Sequence, residues 1–152
     1  MRVLIATDGS ECSKRAVDKC RQMFDGRQQT EIKVVSVYEI LYPVAGETFA
    51  VSTSFYQDYE DDMRKQATTI ADETAAELRQ KCGDGAVVTT AVLKGTPARA
   101  IVEAAKEWHA DLIIVGSHGR GLWGRLTLGS VSDAVIHHAP CSVLVVRGGK
   151  AS

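Results

Sequence analysis

A glycine-rich stretch carries the clearest chemical signal in the sequence, GSHGRGLWGRLTLGS, from Gly116 to Ser130. Glycine allows a backbone to approach a ligand closely and to adopt positive φ. Backbone N–H groups at the start of a helix attract anions. A glycine-rich segment that leads into a helix is therefore a candidate phosphate-binding loop.

One subset of these glycines, Gly119, Gly121 and Gly124, spells G-x-G-x-x-G, the dinucleotide-binding fingerprint. That fingerprint needs a helix that opens directly from the glycines and an acidic residue about 20 positions further on. Here Leu122–Leu128 delays the helix to Ser130, and the next strand ends without Asp or Glu. A Walker loop needs a lysine that this segment lacks. The sequence favours neither kind of site.

A second subset, Gly116, Gly119 and Gly129-Ser130, spells G-x-x-G-x₉-G-S. Backbone N–H groups at Gly119, Gly129 and the helix N-terminus could converge on one anion. Ser130 could cap its helix and also donate its hydroxyl to a phosphate. This spacing predicts an anion site, such as one for phosphate, with Gly121 and Gly124 left to the flexibility of the loop.

The glycine-rich segment belongs to a chain in which predicted strands and predicted helices alternate. Short apolar runs alternate with longer helical patterns, which is typical of an α/β fold with a parallel sheet covered on both faces. The predicted strands are Arg2–Thr7, Glu31–Tyr38, Ala86–Leu93, Asp111–Gly116 and Ser142–Arg147.

Four helices are predicted between these strands. Ser10 caps the first, Thr96 and Pro97 begin the third, and Ser130 begins the fourth, which ends before Pro140. The second helix extends from about Phe55 to Cys82, after a long connection. Its predicted buried stripe consists of Phe55, Tyr59, Met63, Ala67, Ile70, Thr74 and Leu78.

Length and charge restrict the class of protein. A chain of 152 residues, 45% of them hydrophobic, predicts one globular domain over residues 1–152. A net charge of −1 gives no electrostatic case for nucleic acid or an anionic membrane. No apolar run is long enough for a membrane span, and the N-terminus reads as a strand rather than a signal peptide. The four cysteines form no C-x-x-C pair and are expected to be reduced thiols in a cytoplasmic protein.

The chain resembles the universal stress protein family through several motifs in order. They are ATDGS at Ala6–Ser10, GTPARAI at the start of the third helix, DLIIVGSHGRG, and PCSVLVV at Pro140–Val146. In the nucleotide-binding branch of that family, G-x-x-G-x₉-G-[ST] follows strand four, and this chain matches it without a gap. The resemblance covers the whole chain and implies an open five-stranded parallel sheet of order 3-2-1-4-5. Strands one and four then meet at the switch point where such sheets bind ligands.

The resemblance also implies an adenine-nucleotide site that takes ATP and Mg²⁺. Asp8, next to Thr7, would contact the ribose or adenine side and help to hold Mg²⁺, although a helix N-terminal acid is the alternative. Val37 would offer backbone groups to the adenine edge, and Val115 would line the ribose with Gly116. The phosphates would be held by Gly119, Arg120, Gly129, Ser130 and Val131.

Three functions stay open at this point. The resemblance implies an ATP-binding regulatory or stress-response protein that forms a homodimer through its last strand. The alternatives are a slow ATPase and an interaction module that does not need nucleotide. His118, a lone histidine between small residues, is expected to pack in the loop or to form a hydrogen bond there rather than to act in catalysis. Trp123 could cover the ligand or a dimer contact, and the sequence does not decide between these two roles.

Overall fold

A computed structural model describes residues 1–24, 29–40, 53–82, 86–118 and 128–147. Every predicted strand and helix is present in these ranges, with ends that differ by one or two residues from the prediction. Most of the long connection after the second strand, residues 41–52, lies outside the described residues. The elements are β1 Arg2–Ala6, α1 Glu11–Phe24, β2 Thr30–Tyr38, α2 Thr53–Cys82, β3 Ala86–Lys94, α3 Pro97–Glu107, β4 Leu112–Gly116, α4 Ser130–His138 and β5 Ser142–Val146.

The five strands form one parallel sheet in the order β3-β2-β1-β4-β5, which confirms the expected fold class. β1 lies at the centre, with Leu4 beside Lys33 of β2 on one side and beside Ile113 of β4 on the other. The chain moves outward from β1 in one direction and then in the other. β1 and β4 are therefore the neighbours between which the direction of winding reverses.

Side chains that alternate along the strands divide the core into two layers. On one face, Val3, Ile5 and Ile114 pack with α1 residues such as Cys20 and with Leu78 of α2. On the other face, the alternate residues of the same strands pack against α3 and α4: Leu4, Val35, Ile101, Ile113, Val115 and Val135. Continuous apolar strands are required because both faces of the sheet are covered.

The long helix α2 corrects one expectation. Its buried residues are Ala67, Ala71, Ala75 and Leu78, whereas Phe55 and Tyr59 are 60% and 40% exposed. The prediction that the buried stripe begins at Phe55 is therefore wrong. A helix of 30 residues is about 45 Å long, and the strand that follows it, with nine residues, is about 30 Å long. The first turns of α2 extend beyond the sheet, and their apolar residues have no sheet to pack on.

Local hydrogen bonds set the helix starts. Ser10 caps α1 as predicted, because its Oγ accepts the Ser13 N–H at 3.3 Å. Thr96 occupies the N-cap position of α3, with Pro97 as the first helical residue, but its side chain does not cap. The Thr96 hydroxyl instead donates to Glu39 Oε1 at 3.0 Å, which joins the end of β2 to the start of α3.

Two further expectations concern membranes and thiols. In the part of the chain that the structure describes, no helix combines the length and apolar character needed to cross a membrane. Cys20 is buried, and Cys12 and Cys141 are half-buried thiols outside any disulfide. The side chain of Cys82 lies outside the described residues.

Candidate functional site

A cavity of about 320 Å³ opens at the carboxyl ends of the central strands. This volume lies at the lower end of the range for small-ligand sites. Its walls come from all three central strands and from the starts of α1, α3 and α4. The residues that line it are Ala6, Thr7, Asp8, Ser13, Val35, Val37, Pro97, Ile101, Val115, Gly116, His118, Gly129, Ser130, Val131 and Ser132.

One wall of the cavity is apolar and belongs to the α3–α4 face of the sheet. Val35 and Val37 are alternate residues of β2, and Val115 is the corresponding residue of β4, so their side chains share that face. Ile101 of α3 closes this wall and is itself buried. A flat apolar wall with few polar atoms suits the face of an aromatic ring system.

The turn from β1 into α1 supplies the polar side of the cavity. Asp8 Oδ1 accepts the Ser10 N–H at 3.0 Å, and Gly9 between them has φ +76°, a conformation that favours glycine. The hydroxyl of Thr7 donates to Ser13 Oγ at 3.2 Å. These bonds fix the turn, so the Asp8 carboxylate is held at the cavity by a rigid backbone.

Gly116 lies where α1 comes very close to β4. A methyl group added there would lie 2.8 Å from the carbonyl carbon of Cys12 and 2.9 Å from its oxygen. Real Cβ atoms do not come this close to backbone, so a side chain at this position would force α1 away from β4. Gly116 lines the cavity, and its lack of a side chain is also required by helix packing.

The start of α4 differs in detail from the prediction. Gly129, and not Ser130, is the N-cap residue, and no side chain caps this helix. Gly129 has φ −66°, so positive φ is not the reason for glycine here. An added Cβ would instead meet the Ser117 carbonyl oxygen at 3.0 Å. The expectation that Ser130 caps its helix is wrong, because Ser130 is already the first helical residue.

The start of α4 also presents backbone N–H donors that have no acceptor inside the helix. The first N–H groups of any helix have no acceptor within it. In α4 these belong to Ser130, Val131 and Ser132, all three of which line the cavity. Together with the helix dipole, they make this end of the cavity favourable for an anion.

Ser117 fastens α4 to the sheet. Its N–H donates to the Val146 carbonyl oxygen of β5 at 2.9 Å, and its own carbonyl oxygen accepts the Gly129 N–H at 2.8 Å. The Ser132 hydroxyl lies 3.1 Å from the same oxygen. The anion end of the cavity is thus held in place relative to β4 and β5.

The structure brings eight of the ten predicted site residues around this one cavity. They are Thr7, Asp8, Val37, Val115, Gly116, Gly129, Ser130 and Val131. The other two, Gly119 and Arg120, lie outside the described residues, as does Trp123. Residues that are far apart in sequence therefore meet at the switch point.

Sequence reasoning missed several cavity residues, and some had a usable signal. Ser13 and Ser132 lie in the first turns of α1 and α4, close to positions that were predicted, so a helical projection would have placed them on the same side. Pro97 and Ile101 gave no such signal, because their position at the cavity depends on how α3 packs on the sheet. His118 lines the cavity too, although its chemistry there was not assigned.

The side chains around the cavity restrict which metal could bind. Within the described ranges, no three His, Cys, Asp or Glu side chains form a group that could hold a metal ion. Asp8 is the carboxylate at the cavity. Mg²⁺ characteristically takes one or two carboxylates, with water and phosphate oxygens as its other ligands. The donor set therefore fits Mg²⁺ only if it arrives with a phosphorylated ligand.

Comparison with known proteins identifies the family. The model of the universal stress protein family matches residues 1–147. A universal stress protein of Thermus aquaticus is 35% identical over 150 residues, which cover 95% of this chain and 97% of that protein. The universal stress protein Sll1388 of Synechocystis is 30% identical, with coverage of 96% and 97%. This chain belongs to the universal stress protein family.

Solved structures agree with this assignment. The hypothetical protein MJ0577 superposes with a TM-score of 0.82 at 25% identity and covers 99% of this chain and 97% of its own. A universal stress protein in complex with cAMP superposes with a TM-score of 0.62 at 27% identity, with 96% of each chain covered. A protein similar to this one therefore holds an adenine nucleotide.

Proposed function

We propose that this protein binds ATP with Mg²⁺ in the cavity at the carboxyl ends of β1 and β4. The bound nucleotide is proposed to regulate the action of this protein in a stress response. The observation that carries the proposal is the mixed lining of the cavity, which joins an apolar wall from β2, β4 and α3 to the N–H donors at the start of α4. Adenine suits the first and phosphate suits the second. The cAMP complex of a similar protein supports the same class of ligand.

Each predicted residue has a part in this proposal. Val35 and Val37 would pack on the adenine ring, with backbone groups of Val37 at its edge. Val115 and Gly116 would line the ribose. The phosphates would lie against the N–H groups of the α4 start and the Ser130 hydroxyl, with Gly119 and Arg120 proposed to complete this end.

Mg²⁺ would neutralise phosphate charge, held by the Asp8 carboxylate and by phosphate oxygens. Asp8 is suited to this because its Oδ1 is already oriented by the Ser10 N–H. ATP is proposed as an effector, which binds and is released, rather than as a substrate.

The test is the identity and affinity of the bound ligand. Purified protein is denatured by heat, the released small molecules are identified by mass spectrometry, and the stripped protein is titrated with ATP in Mg²⁺ by calorimetry. We expect an adenine nucleotide in the released fraction and saturable binding of ATP. Absence of both would overturn the proposal and favour an interaction module that does not need nucleotide.

Asp8→Asn provides the matched control. An amide oxygen can still accept the Ser10 N–H, so the turn is kept while the charge is removed. We expect the affinity for ATP in Mg²⁺ to fall about tenfold or more, because a charge-assisted contact is lost. The affinity measured with EDTA in place of Mg²⁺ should change much less. An equal change in both conditions would argue against the metal role.

We further infer that residues 1–152 form one domain, which acts in the cytoplasm as a homodimer joined through β5. β5 is the last strand at one side of the sheet, and its inner residues are only half-buried. Such an edge invites pairing with another strand. Light scattering at micromolar concentration should give the mass of a dimer, and the mass of a monomer would refute this inference.

A further inference from the structure

His118 has a ring nitrogen that the described part of the fold leaves without a hydrogen-bond partner. The residue lines the cavity, and its Nε2 is buried with no hydrogen-bond partner among the described residues. A buried polar atom without a partner costs free energy unless a ligand or water satisfies it. The burial of this atom therefore points to a contact that the described part of the chain does not make.

The hydrogen bond between His118 and Ser117 indicates which ring nitrogen carries the proton. His118 Nδ1 lies 3.0 Å from Ser117 Oγ. Ser117 is almost fully buried, and this is the contact that the structure gives its hydroxyl. If Nδ1 carried the proton, the Ser117 hydroxyl would accept it, and its own buried proton would lack an acceptor. The satisfied arrangement has the Ser117 hydroxyl donating to Nδ1, which leaves the proton on Nε2.

His118 adjoins the anion end of the cavity. A Cβ added to Gly129, the N-cap residue of α4, would lie 3.3 Å from the His118 Cα. The imidazole thus belongs to the residue that adjoins the helix start whose first N–H groups line the same cavity. Asp8 lies in that cavity as well, on the turn after β1. The groups near the start of α4 are hydrogen-bond donors. A ligand that complements them carries several acceptor oxygens.

We propose that His118 is a neutral hydrogen-bond donor to the phosphate groups of the bound nucleotide and that it makes the cavity select nucleotides over nucleosides. This inference rests on the proposed function and deepens it. Ser117 acts as a positioning residue, because its hydroxyl fixes the tautomer in which Nε2 donates. An imidazole N–H in this place adds selectivity without adding a permanent charge.

The test compares ligands that differ only in phosphate. The full chain, stripped of ligand, is titrated with ATP and with adenosine, and the same titrations are made on His118→Phe and His118→Gln. The Phe ring keeps the bulk and removes the donor, whereas the Gln amide nitrogen can restore a donor near the position of Nε2. His137→Phe is the matched control, because His137 is exposed at the far end of α4.

We expect His118→Phe to weaken ATP binding about tenfold to a hundredfold, the range for a hydrogen bond to a charged group, while adenosine binding changes little. His118→Gln should recover most of the affinity for ATP, and His137→Phe should bind as the parent does. Equal losses for ATP and adenosine would mean that His118 only packs, and this would overturn the inference. Unchanged ATP binding in His118→Phe would overturn it as well.

A second measurement covers the case in which His118→Phe does not fold. Nitrogen-15 spectra of the imidazole in the parent protein should show the Nε2–H tautomer, and its resonance should shift on addition of ATP but not of adenosine. An Nδ1–H tautomer, or no shift with ATP, would refute the inference. If the parent protein binds neither ligand, the proposed function fails first, and this result is distinct from binding that is indifferent to His118.

Discussion

The two ends of the same sheet differ in how their polar backbone and side-chain groups are hydrogen-bonded. At the amino end, polar groups from different elements bond to one another. The Arg2 N–H donates to Asp111 Oδ2 at 2.7 Å, and the Asp111 N–H donates back to the Arg2 carbonyl oxygen at 2.8 Å. The Arg2 guanidinium donates to the Trp108 carbonyl oxygen at 3.3 Å, and Lys33 Nζ lies 4.5 Å from the centre of the Trp108 ring.

At the carboxyl end, donors are left facing a cavity. The first N–H groups of α4 and the His118 Nε2 are oriented by the fold but not satisfied by it within the described residues. This contrast indicates that the described polar contacts at the amino end contribute to folding alone, whereas the carboxyl end contributes to folding and is also proposed to bind nucleotide. Substitutions at the two ends should therefore separate the free energy of unfolding from the affinity for nucleotide.

The largest effect is expected from Gly116→Ala, which changes both quantities. The added methyl group would lie within 3 Å of two backbone atoms of Cys12, and neither atom can move without moving α1. We expect a loss of about 1–3 kcal/mol in the free energy of unfolding, typical of overpacking. Affinity for ATP should fall too, since the displaced α1 start carries the Asp8 turn. Urea denaturation and calorimetry measure the two effects.

Gly129→Ala is the control for Gly116→Ala. Its added Cβ would lie 3.0 Å from one carbonyl oxygen, with the next atom at 3.3 Å, and its φ of −66° suits alanine. The loss of stability should therefore be smaller than for Gly116→Ala. Equal urea midpoints for Gly116→Ala and the parent protein would contradict the packing account of Gly116.

A smaller and more selective effect is expected from Asp111→Ala at the amino end. This change removes the acceptor of the Arg2 N–H, and we expect a loss of about 1 kcal/mol in the free energy of unfolding. Affinity for ATP should stay that of the parent, because the cavity lies at the other end of the strands. A fall in affinity comparable to that of Asp8→Asn would contradict the expectation that the amino end affects stability without affecting binding.

The smallest effect is expected from the exposed ion pair between Glu60 and Lys94, whose contribution to stability depends on pH. This pair lies at the carboxyl end of the sheet, outside the cavity. A hydrogen bond from Lys94 lowers the pKa of Glu60 below its ordinary value of 4.5, and the Lys94 charge and a hydrogen bond from Tyr38 lower that pKa further. Because the pKa is lower in the folded state, the contact stabilises the fold above pH 4.5, and this contribution is lost as the pH falls below that value.

The Glu60–Lys94 contact is tested by thermal denaturation of the parent and of Glu60→Gln across the acid range. We expect the parent to have the slightly higher Tm near neutral pH and the difference to vanish in acid. Added salt should reduce the difference at neutral pH, because exposed charges are screened. A difference that grows as the pH falls would mean that the pKa is raised instead.

Most of the fold could be predicted from the sequence, for a physical reason. Strands such as Leu112–Gly116 are buried on both faces and so are apolar throughout, and helix starts such as Ser10 and Pro97 have local signals. The strand order was implied by the family resemblance, because apolar runs do not record which strands are neighbours. The misplaced stripe of α2 has the same origin, since periodicity cannot show where the sheet beneath a helix ends.

The candidate site was predictable to the extent that its chemistry is local. The glycine spacing pointed to the α4 start, whereas the role of Asp8 was implied by the family resemblance. Two facts depended on tertiary structure. Gly116 is required by the approach of Cys12, more than 100 positions away in the sequence. The burial of His118 Nε2 without a partner among the described residues likewise arises only in the folded chain.

The hydrogen bond from the Gly129 N–H to the Ser117 carbonyl oxygen fastens the start of α4 to the end of β4, whatever chain lies between them. The entropy of joining two chain ends grows only with the logarithm of the length enclosed, so doubling that length costs about 0.6 kcal/mol. Insertions between residues 118 and 128 are therefore inexpensive for the fold. Folding alone therefore does not require the nine-residue spacing between Gly119 and Gly129.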